Sequence, residues 1–246
     1  KLAGKKFGDL GNRPFSVGLW VGGEATPNKF KDALASLQGS QDVPSPKQLA
    51  DCPACRKPLT WYAEQSASAI RVKCTNNECV LFDSVQPLPV YTVDEDVYRE
   101  QPTLVIGTID KFSQIVRRPQ INDLFAVKGG LPPDLIIQDE LHLISGPLGT
   151  IAGLYEVAID RLFAQEGKRP KIIGSTATIR KAREQVRALF NRMVCQFPPP
   201  GIDATDSCFA TVDRFSPGRM YAGVTTAGRS AKFTLQAVAA SVLQSA

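Results

Sequence analysis

Leu135-Ile136-Ile137-Gln138-Asp139-Glu140-Leu141-His142-Leu143-Ile144 decides the reading of this chain. A short aliphatic run, bounded upstream by Pro132-Pro133-Asp134, leads into two adjacent acids and then into the sole histidine of the sequence. Such a run between turn residues reads as a buried central strand, and a strand of that kind delivers its next residues into the crevice at the carboxyl edge of a parallel sheet. Two acids placed there can divide the labour of nucleotide hydrolysis. Asp139 can hold a magnesium ion directly or through water, and Glu140 can orient or deprotonate the attacking water. Taken alone, the same acids also suit a strand end that merely caps the next helix.

A second stretch narrows the choice. Lys171-Ile172-Ile173-Gly174 is another aliphatic strand, and it ends in Ser175-Thr176-Ala177-Thr178. Small residues let two backbones approach closely, and hydroxyls can bond a carboxylate or histidine on a neighbouring strand end. The pairing of Asp139-Glu140-Leu141-His142 with Ser175-Thr176-Ala177-Thr178 resembles motifs II and III of superfamily 2 DEAD/DEAH-like helicases. In those proteins the two segments lie on adjacent strands of the first RecA-like domain. The resemblance implies that His142 relays the state of the nucleotide to the strand carrying Thr176 and Thr178.

Composition sets broad limits. The 246 residues can form one large domain or two small ones, and 43% hydrophobic with 22% charged residues is ordinary for a soluble globular protein. No apolar run approaches the ~18 residues of a membrane helix and no signal-peptide pattern opens the chain, so no membrane role and a cytoplasmic location are expected. The net charge of +5 is compatible with a nucleic-acid partner but decides nothing alone.

Apolar strands alternate with amphipathic helices, the signature of a parallel sheet covered on both faces. Strands are predicted over Phe15 to Val21, Thr103 to Ile106, Leu135 to Gln138 and Lys171 to Gly174. Helical periodicity marks Asn28 to Leu37 and Ile109 to Val116. After the acidic pair, Ile151, Leu154, Tyr155, Ala158, Ile159, Leu162 and Phe163 form a continuous apolar helix face. A further helix over Lys181 to Met193 turns Val186, Leu189, Phe190 and Met193 inward, with Arg183, Arg187 and Arg192 outward on a solvated or phosphate-contacting face. Phe197-Pro198-Pro199-Pro200-Gly201 marks a boundary, beyond which a strand over Arg219 to Thr225 and a helix over Ala231 to Ser245 are predicted. The expected organisation is an α/β, RecA-like domain over residues 1–40 and 90–196, an insertion over 41–89, and a linker with the start of a second RecA-like domain over 197–246.

The insertion holds four of the six cysteines. Cys52-Pro53-Ala54-Cys55 and Cys74-Thr75-Asn76-Asn77-Glu78-Cys79 are separated by eighteen residues. Four thiolates so spaced suit tetrahedral zinc, each pair on a tight turn, with Leu59 to Glu64 and Ala69 to Lys73 as a hairpin between them. This resembles a zinc ribbon, although the second knuckle is two residues longer than the usual CxxC. Disulfides are the competing reading, and a reducing cytosol favours zinc. Four protein ligands leave no open position, so the metal is expected to be structural. The ribbon can grip DNA or a protein partner. Cys195 and Cys208 lack nearby ligand partners and read as packing or surface residues.

Two further strand ends carry residues suited to a phosphate backbone. Gly22-Gly23 can bring backbone N–H groups close to a phosphate, or simply make a tight turn. Thr108 and Lys111 open a helix after a strand, where they can hold a phosphate or serve as a cap. Helicase-like proteins use such places, called motifs Ia, Ib and Ic, for one strand of nucleic acid, and resemblance makes Gly22, Gly23, Thr108 and Lys111 candidate contacts.

The longer strings GLWVGGEATPN, GTIDKF, QDELHLISGPLGT, GSTATI and FPPPGIDATDS, in this order and with a cysteine-rich insertion, are similar to the DrmA family, the helicase subunits of DISARM anti-phage defence systems. The resemblance spans nearly the whole chain. It implies an ATP-dependent DNA helicase or translocase using ATP, magnesium and zinc, with DNA and a DrmB-like subunit as partners. One departure is plain: no GxxxxGK[ST] phosphate loop occurs, and Gly4-Lys5-Lys6 is the nearest string. Because Lys1 is not a methionine and the sequence stops within a helical pattern, that loop is expected upstream and the arginine-rich motif in an uncompleted second domain. A non-catalytic DNA-binding or scaffold module with a degenerate RecA fold is the competing function.

Overall fold

In the computed structural model the described residues are 14–115, 117–125, 132–144, 146–164, 169–176, 182–199, 202–203 and 211–245. The chain forms two compact units, Lys1–Val194 and Cys195–Ala246.

The first unit is mixed α/β. Its parallel strands are β1 (Val17–Trp20), β4 (Val90–Tyr91), β5 (Leu104–Gly107), β6 (Leu135–Gln138) and β7 (Lys171–Gly174). β1 lies between β4 and β5 in one sheet, with Val17 opposite both Val90 and Leu104. β6 and β7 pair in register from Leu135 opposite Lys171 to Gln138 opposite Gly174, joined by helix α5 (Gly146–Phe163) in a β-α-β unit. Among the described residues these are two parallel sheets, not one continuous sheet. Helices α1 (Phe30–Leu37), α2 (Asp94–Glu100), α3 (Ile109–Phe112), α4 (Pro119–Leu124) and α6 (Ala182–Phe190) complete the unit.

One core joins both sheets. Trp20 of β1 packs edge-on against Phe112 and Phe125, at 5.2 and 5.8 Å between ring centres, and Phe125 meets Phe163 of α5 at 5.0 Å. Val97, Ile115, Ile121 and Ile159 close the cluster, against which Val105 and Ile136 pack from their strands. Alternation then turns the neighbours of Val105 and Ile136 the other way. Leu104, Ile106, Leu135, Ile137 and Ile173 are exposed, so these strands bury one face, where continuous aliphatic sequence predicts two. The expected fully buried central strand over Leu135 to Gln138 is therefore corrected to a strand with one covered face.

The same rule trims α5. Ala152, Glu156, Ile159 and Phe163 are buried, whereas Ile151, Leu154 and Val157 are exposed, so the broad apolar face of the sequence narrows to one stripe. The helix predicted to Met193 ends at Phe190, which is buried as expected, and Met193 lies beyond it, fully exposed. Arg192, expected on the outer face, turns inward: its guanidinium pairs with Asp160 and donates to the Pro170 carbonyl at 2.6 Å.

The cysteine-rich stretch is a hairpin stitched to the helices around it. β2 (Leu59–Glu64) and β3 (Ala69–Cys74) pair antiparallel, with Trp61 opposite Val72 and Ala63 opposite Ile70. That face of the hairpin forms a second core with Ala33 of α1 and Val93. On α2, buried Asp96 accepts the Ile70 N–H at 2.9 Å, Glu100 pairs with Arg71 at 2.8 Å, and Arg99 donates to the Ala67 carbonyl at 3.1 Å. Glu95 accepts the Phe30 N–H at 2.7 Å, capping α1, whose own N-cap side chain makes no bond.

In the second unit, Ala231–Ser245 forms α7 as the sequence predicts, and the Ser230 hydroxyl accepts the Phe233 N–H at 3.2 Å. The strand predicted over Arg219 to Thr225 is absent: these residues are exposed and have no regular structure. Among the described residues, no helix is long and apolar enough to cross a membrane.

Candidate active site and metal centre

The parallel pairing of β6 and β7 brings the two sequence motifs side by side. Just past the strands, Leu141 N–H donates to the Ser175 carbonyl at 2.9 Å, and Ser175 N–H donates to the Gln138 carbonyl at 2.8 Å. Leu141 is buried beside Gly174, where an added Cβ would stand 3.0 Å from a Leu141 methyl. Gly174 is thus the small residue that lets the turn after β6 lie against β7.

With Leu141 anchored inward, the polar residues on either side face outward. Asp139 and Glu140 are exposed, and Asp139 Oδ1 accepts the Glu140 N–H at 2.9 Å. Glu140 holds left-handed backbone at φ 52°, a conformation that costs a residue with a side chain on the order of 1 kcal/mol. The bend starts a short 3-10 turn over Leu141–Leu143 and swings the histidine back toward the acid. His142 Nδ1 lies 3.2 Å from Glu140 Oε2 and 3.0 Å from Thr176 Oγ1. Behind the turn, Gln185 of α6 donates to the Leu141 and Ile144 carbonyls at 3.4 and 3.3 Å.

The structure therefore brings Glu140, His142 and Thr176 together, with His142 hydrogen-bonded to Thr176, the Glu140 carboxylate 3.2 Å from the same ring nitrogen, and Asp139 adjoining. Ser175 contributes its backbone. Ala177 and Thr178 lie outside the described residues. Chemically, the site presents open carboxylate oxygens, the hard ligands that suit magnesium, beside an imidazole that can pass a displacement between strand ends.

The second group of candidates sits at the carboxyl ends of β1 and β5, on the same core through Trp20 and Val105. Gly22 is exposed, and its carbonyl accepts the N–H groups of Ala25 and Thr26. Gly23 packs so closely on Asn28 that an added Cβ would stand 2.7 Å from Asn28 Nδ2. Thr108 is exposed at the head of α3 and makes no side-chain cap bond. Lys111 differs from these three. Its side chain is 3% exposed, with Nζ 2.6 Å from Asp94 Oδ2 and 3.0 Å from Asn28 Oδ1. Its ammonium is engaged inside the protein, and in this arrangement it is not offered to a phosphate. Asn28 and Asp94, which hold it, carry no motif that marks them in the sequence. An acid in the first turn of a helix ordinarily reads as a surface dipole partner.

The four cysteines of the hairpin converge. All four Sγ atoms lie within 4.8 Å of one another, with Cys52 to Cys79 and Cys55 to Cys74 both at 3.7 Å. A disulfide requires about 2.05 Å, whereas the edge of a tetrahedron with zinc–sulfur bonds of about 2.3 Å is about 3.8 Å. The donor set and its spacing fit that ion. Tight turns build the site: Arg56 N–H donates to the Cys52 carbonyl and Phe82 N–H to the Cys79 carbonyl, both at 2.9 Å, and Leu81 N–H donates to Cys79 Sγ at 3.4 Å. The Lys57 N–H lowers the Cys55 thiol to about 6, while, against the pull of the Asn76 N–H, burial and the neighbouring sulfurs push Cys74 up to about 12. Such a cluster can hold several thiolates only around a cation. Cys195 is exposed and free, and Cys208 lies outside the described residues.

Comparison with known proteins adds a relationship to this geometry. The chain matches no protein-family model. It is 37% identical over 295 residues to a protein named DISARM protein DrmA from Bacillus paralicheniformis (strain ATCC 9945a / NCIMB 11709 / CD-2), an alignment covering 98% of this chain and 26% of that protein. The aligned span exceeds the 246 residues of the chain, so the match includes extra segments on the DrmA side. Over almost its whole length, and across about a quarter of its relative's, this chain is a relative of DISARM protein DrmA.

Proposed function

We propose that the chain carries the water-activating and strand-gripping part of an ATP-dependent DNA helicase or translocase in a DISARM-type anti-phage defence system. The observation that carries the reading is the His142 bridge between Glu140 at the end of β6 and Thr176 at the end of β7. It joins the two motifs whose sequences resemble those of superfamily 2 helicases, and the relationship to DrmA supports the same assignment.

In this reading Asp139 and Glu140 have separate tasks. Asp139 would hold magnesium, which supplies charge neutralisation at the nucleotide phosphates. Glu140 holds and orients water as a general base, and the left-handed bend fixes where its carboxylate points. His142, beside that carboxylate and hydrogen-bonded to Thr176, transmits a shift of Glu140 to β7, with Ser175, Ala177 and Thr178 completing the coupling segment. Gly22, Gly23 and Thr108 offer exposed backbone and hydroxyl groups to the phosphates of a DNA strand in the cytoplasm. Cys52, Cys55, Cys74 and Cys79 would hold a structural zinc ion, which clamps the two knuckles of the hairpin. A DrmB-like subunit is the expected protein partner.

The test is Glu140→Gln in the intact protein, assayed for DNA-stimulated ATP hydrolysis. Hydrolysis should fall by at least about a hundredfold while nucleotide binding persists. Turnover near the wild-type rate would sink the assignment. DNA binding by the wild-type protein with no hydrolysis under any condition would favour a non-catalytic scaffold.

A further inference from the structure

The interior of the first unit holds a charged cluster that the hydrolytic site does not use. Lys111 Nζ and Asp94 Oδ2 pair at 2.6 Å with side chains 3% and 1% exposed, and Asn28 Oδ1 accepts from the same ammonium at 3.0 Å. Tyr98 hydroxyl reaches Asp94 Oδ2 at 3.4 Å and itself accepts the Trp20 indole N–H at 2.9 Å. Asp94 Oδ1 and the hydroxyl of fully buried Thr26 have no hydrogen-bond partner among the described residues.

A buried ion pair is a poor source of stability, because desolvation offsets most of its attraction and a well-packed apolar pair often does as well. What it supplies is a fixed relation between the segments it joins. Here those segments are three. Asn28 belongs to the loop after β1 and packs directly on Gly23. Lys111 belongs to α3, and its N–H donates to the Thr108 carbonyl at 3.1 Å. Asp94 opens α2, where the Asp94 and Glu95 N–H groups donate to the Pro27 and Asn28 carbonyls, both at 3.3 Å. The first turn of α2 thus fastens from beneath the two loops whose exposed tips are Gly22-Gly23 and Thr108.

We propose that Asp94, Lys111 and Asn28 form a positioning cluster that sets the spacing of the Gly22-Gly23 turn and Thr108, so that the two segments hold neighbouring phosphates of one DNA strand. This rests on the DNA-binding reading above. The three residues act through the loops, and none of them touches the nucleic acid. Lys111 works as an internal tether.

The experiment measures binding of a labelled single-stranded oligonucleotide by the intact protein across a series of salt concentrations, for wild type, Asp94→Asn, Lys111→Met and the charge-free double variant. The cluster acts as a unit, so each single variant should weaken binding by about tenfold, with the double variant no weaker than either. The slope of log Kd against log salt should stay at the wild-type value, because no phosphate contact has been removed. A slope reduced by about one in Lys111→Met, or binding by Asp94→Asn that is unchanged or tighter because the lysine is released, overturns the tether and makes Lys111 a direct contact. Melting temperatures report folding separately: variants that melt lower yet bind DNA as wild type does show a merely structural pair, which also overturns the proposal. The double variant, which buries no lone charge, keeps the test available if a single variant does not fold. Wild-type protein that binds no DNA at all overturns the underlying reading, an outcome distinct from any failure confined to the variants.

Discussion

His142 Nδ1 lies 3.0 Å from Thr176 Oγ1, and this contact connects the end of β6 to the end of β7 through side chains where the sheet ladder has already stopped. The same nitrogen is 3.2 Å from Glu140 Oε2. A change at the acid has a route to β7 that does not pass through the backbone.

The route gives a prediction about coupling. His142→Ala and Thr176→Val leave Asp139 and Glu140 in place, so nucleotide binding and unstimulated hydrolysis should change little. The stimulation of hydrolysis by DNA should drop by about tenfold, within the usual range for coupling between two sites. Parallel measurement of ATP turnover with and without DNA separates the two quantities, and an equal loss in both would count against a relay.

Packing behind the relay makes a second prediction. Gly174 leaves room for the Leu141 side chain, and a Cβ there would approach a Leu141 methyl to 3.0 Å. Gly174→Val adds still more bulk at the end of β7 and should destabilise the protein by about 1–3 kcal/mol, the usual cost of overpacking. Thermal unfolding measures it. A melting temperature equal to wild type would mean that the turn over Leu141–Leu143 moves aside without cost.

The metal centre yields a third. Purified protein should carry about one equivalent of zinc, and less than about half would argue for free thiols. Stripping the ion with a strong chelator, or changing Cys52→Ser, should release the hairpin and, because Asp96, Arg99 and Glu100 tie it to α2, lower the melting temperature of the whole first unit. Melting confined to the hairpin would show that α2 does not transmit the loss.

Much of this arrangement is legible in the sequence, and the residues show why. β6, β7 and α7 have the predicted bounds, because each is a continuous periodic run with turn residues or an abrupt polar change at its ends. The hairpin is legible for a different reason, since cysteine spacing fixes where its strands must sit. β4, α2 and α4 escape prediction. Val90–Tyr91 is two residues long, and Asp94–Glu100 reads as a charged surface stretch although Asp94 and Asp96 are buried. Their burial depends on Lys111 and Ile70, partners remote in sequence, with the exposed Arg99 one turn along the same helix pairing with Asp96. The strand predicted over Arg219 to Thr225 fails in the opposite way: local β propensity is present, but no described neighbour supplies a ladder. In the candidate active site the acids and the histidine are visible as a motif. The left-handed bend at Glu140 that aims them is not, since nothing in the residue type favours it.

Glu156 supplies the last prediction, on pH. It lies buried on α5, and burial, with the Asp160 charge one turn away, raises its carboxyl from 4.5 to about 7. Between those values the folded protein holds a proton that the unfolded chain has released, so stability from this group falls as pH rises from about 4.5 to about 7 and is level above. Each pH unit between the two values is worth about 1.4 kcal/mol, so the ionised side chain costs at most about 3 kcal/mol at pH 8. Glu156→Gln keeps the shape and removes the ionisation. It should therefore match wild type within about 0.5 kcal/mol at pH 4.5 and exceed it by about 2 kcal/mol at pH 8. Asp94 and Asp96, also raised by burial, titrate in both proteins and cancel in the difference. Denaturant unfolding of the two proteins at both pH values measures it, and a stability difference that does not change with pH would rule Glu156 out as the titrating group.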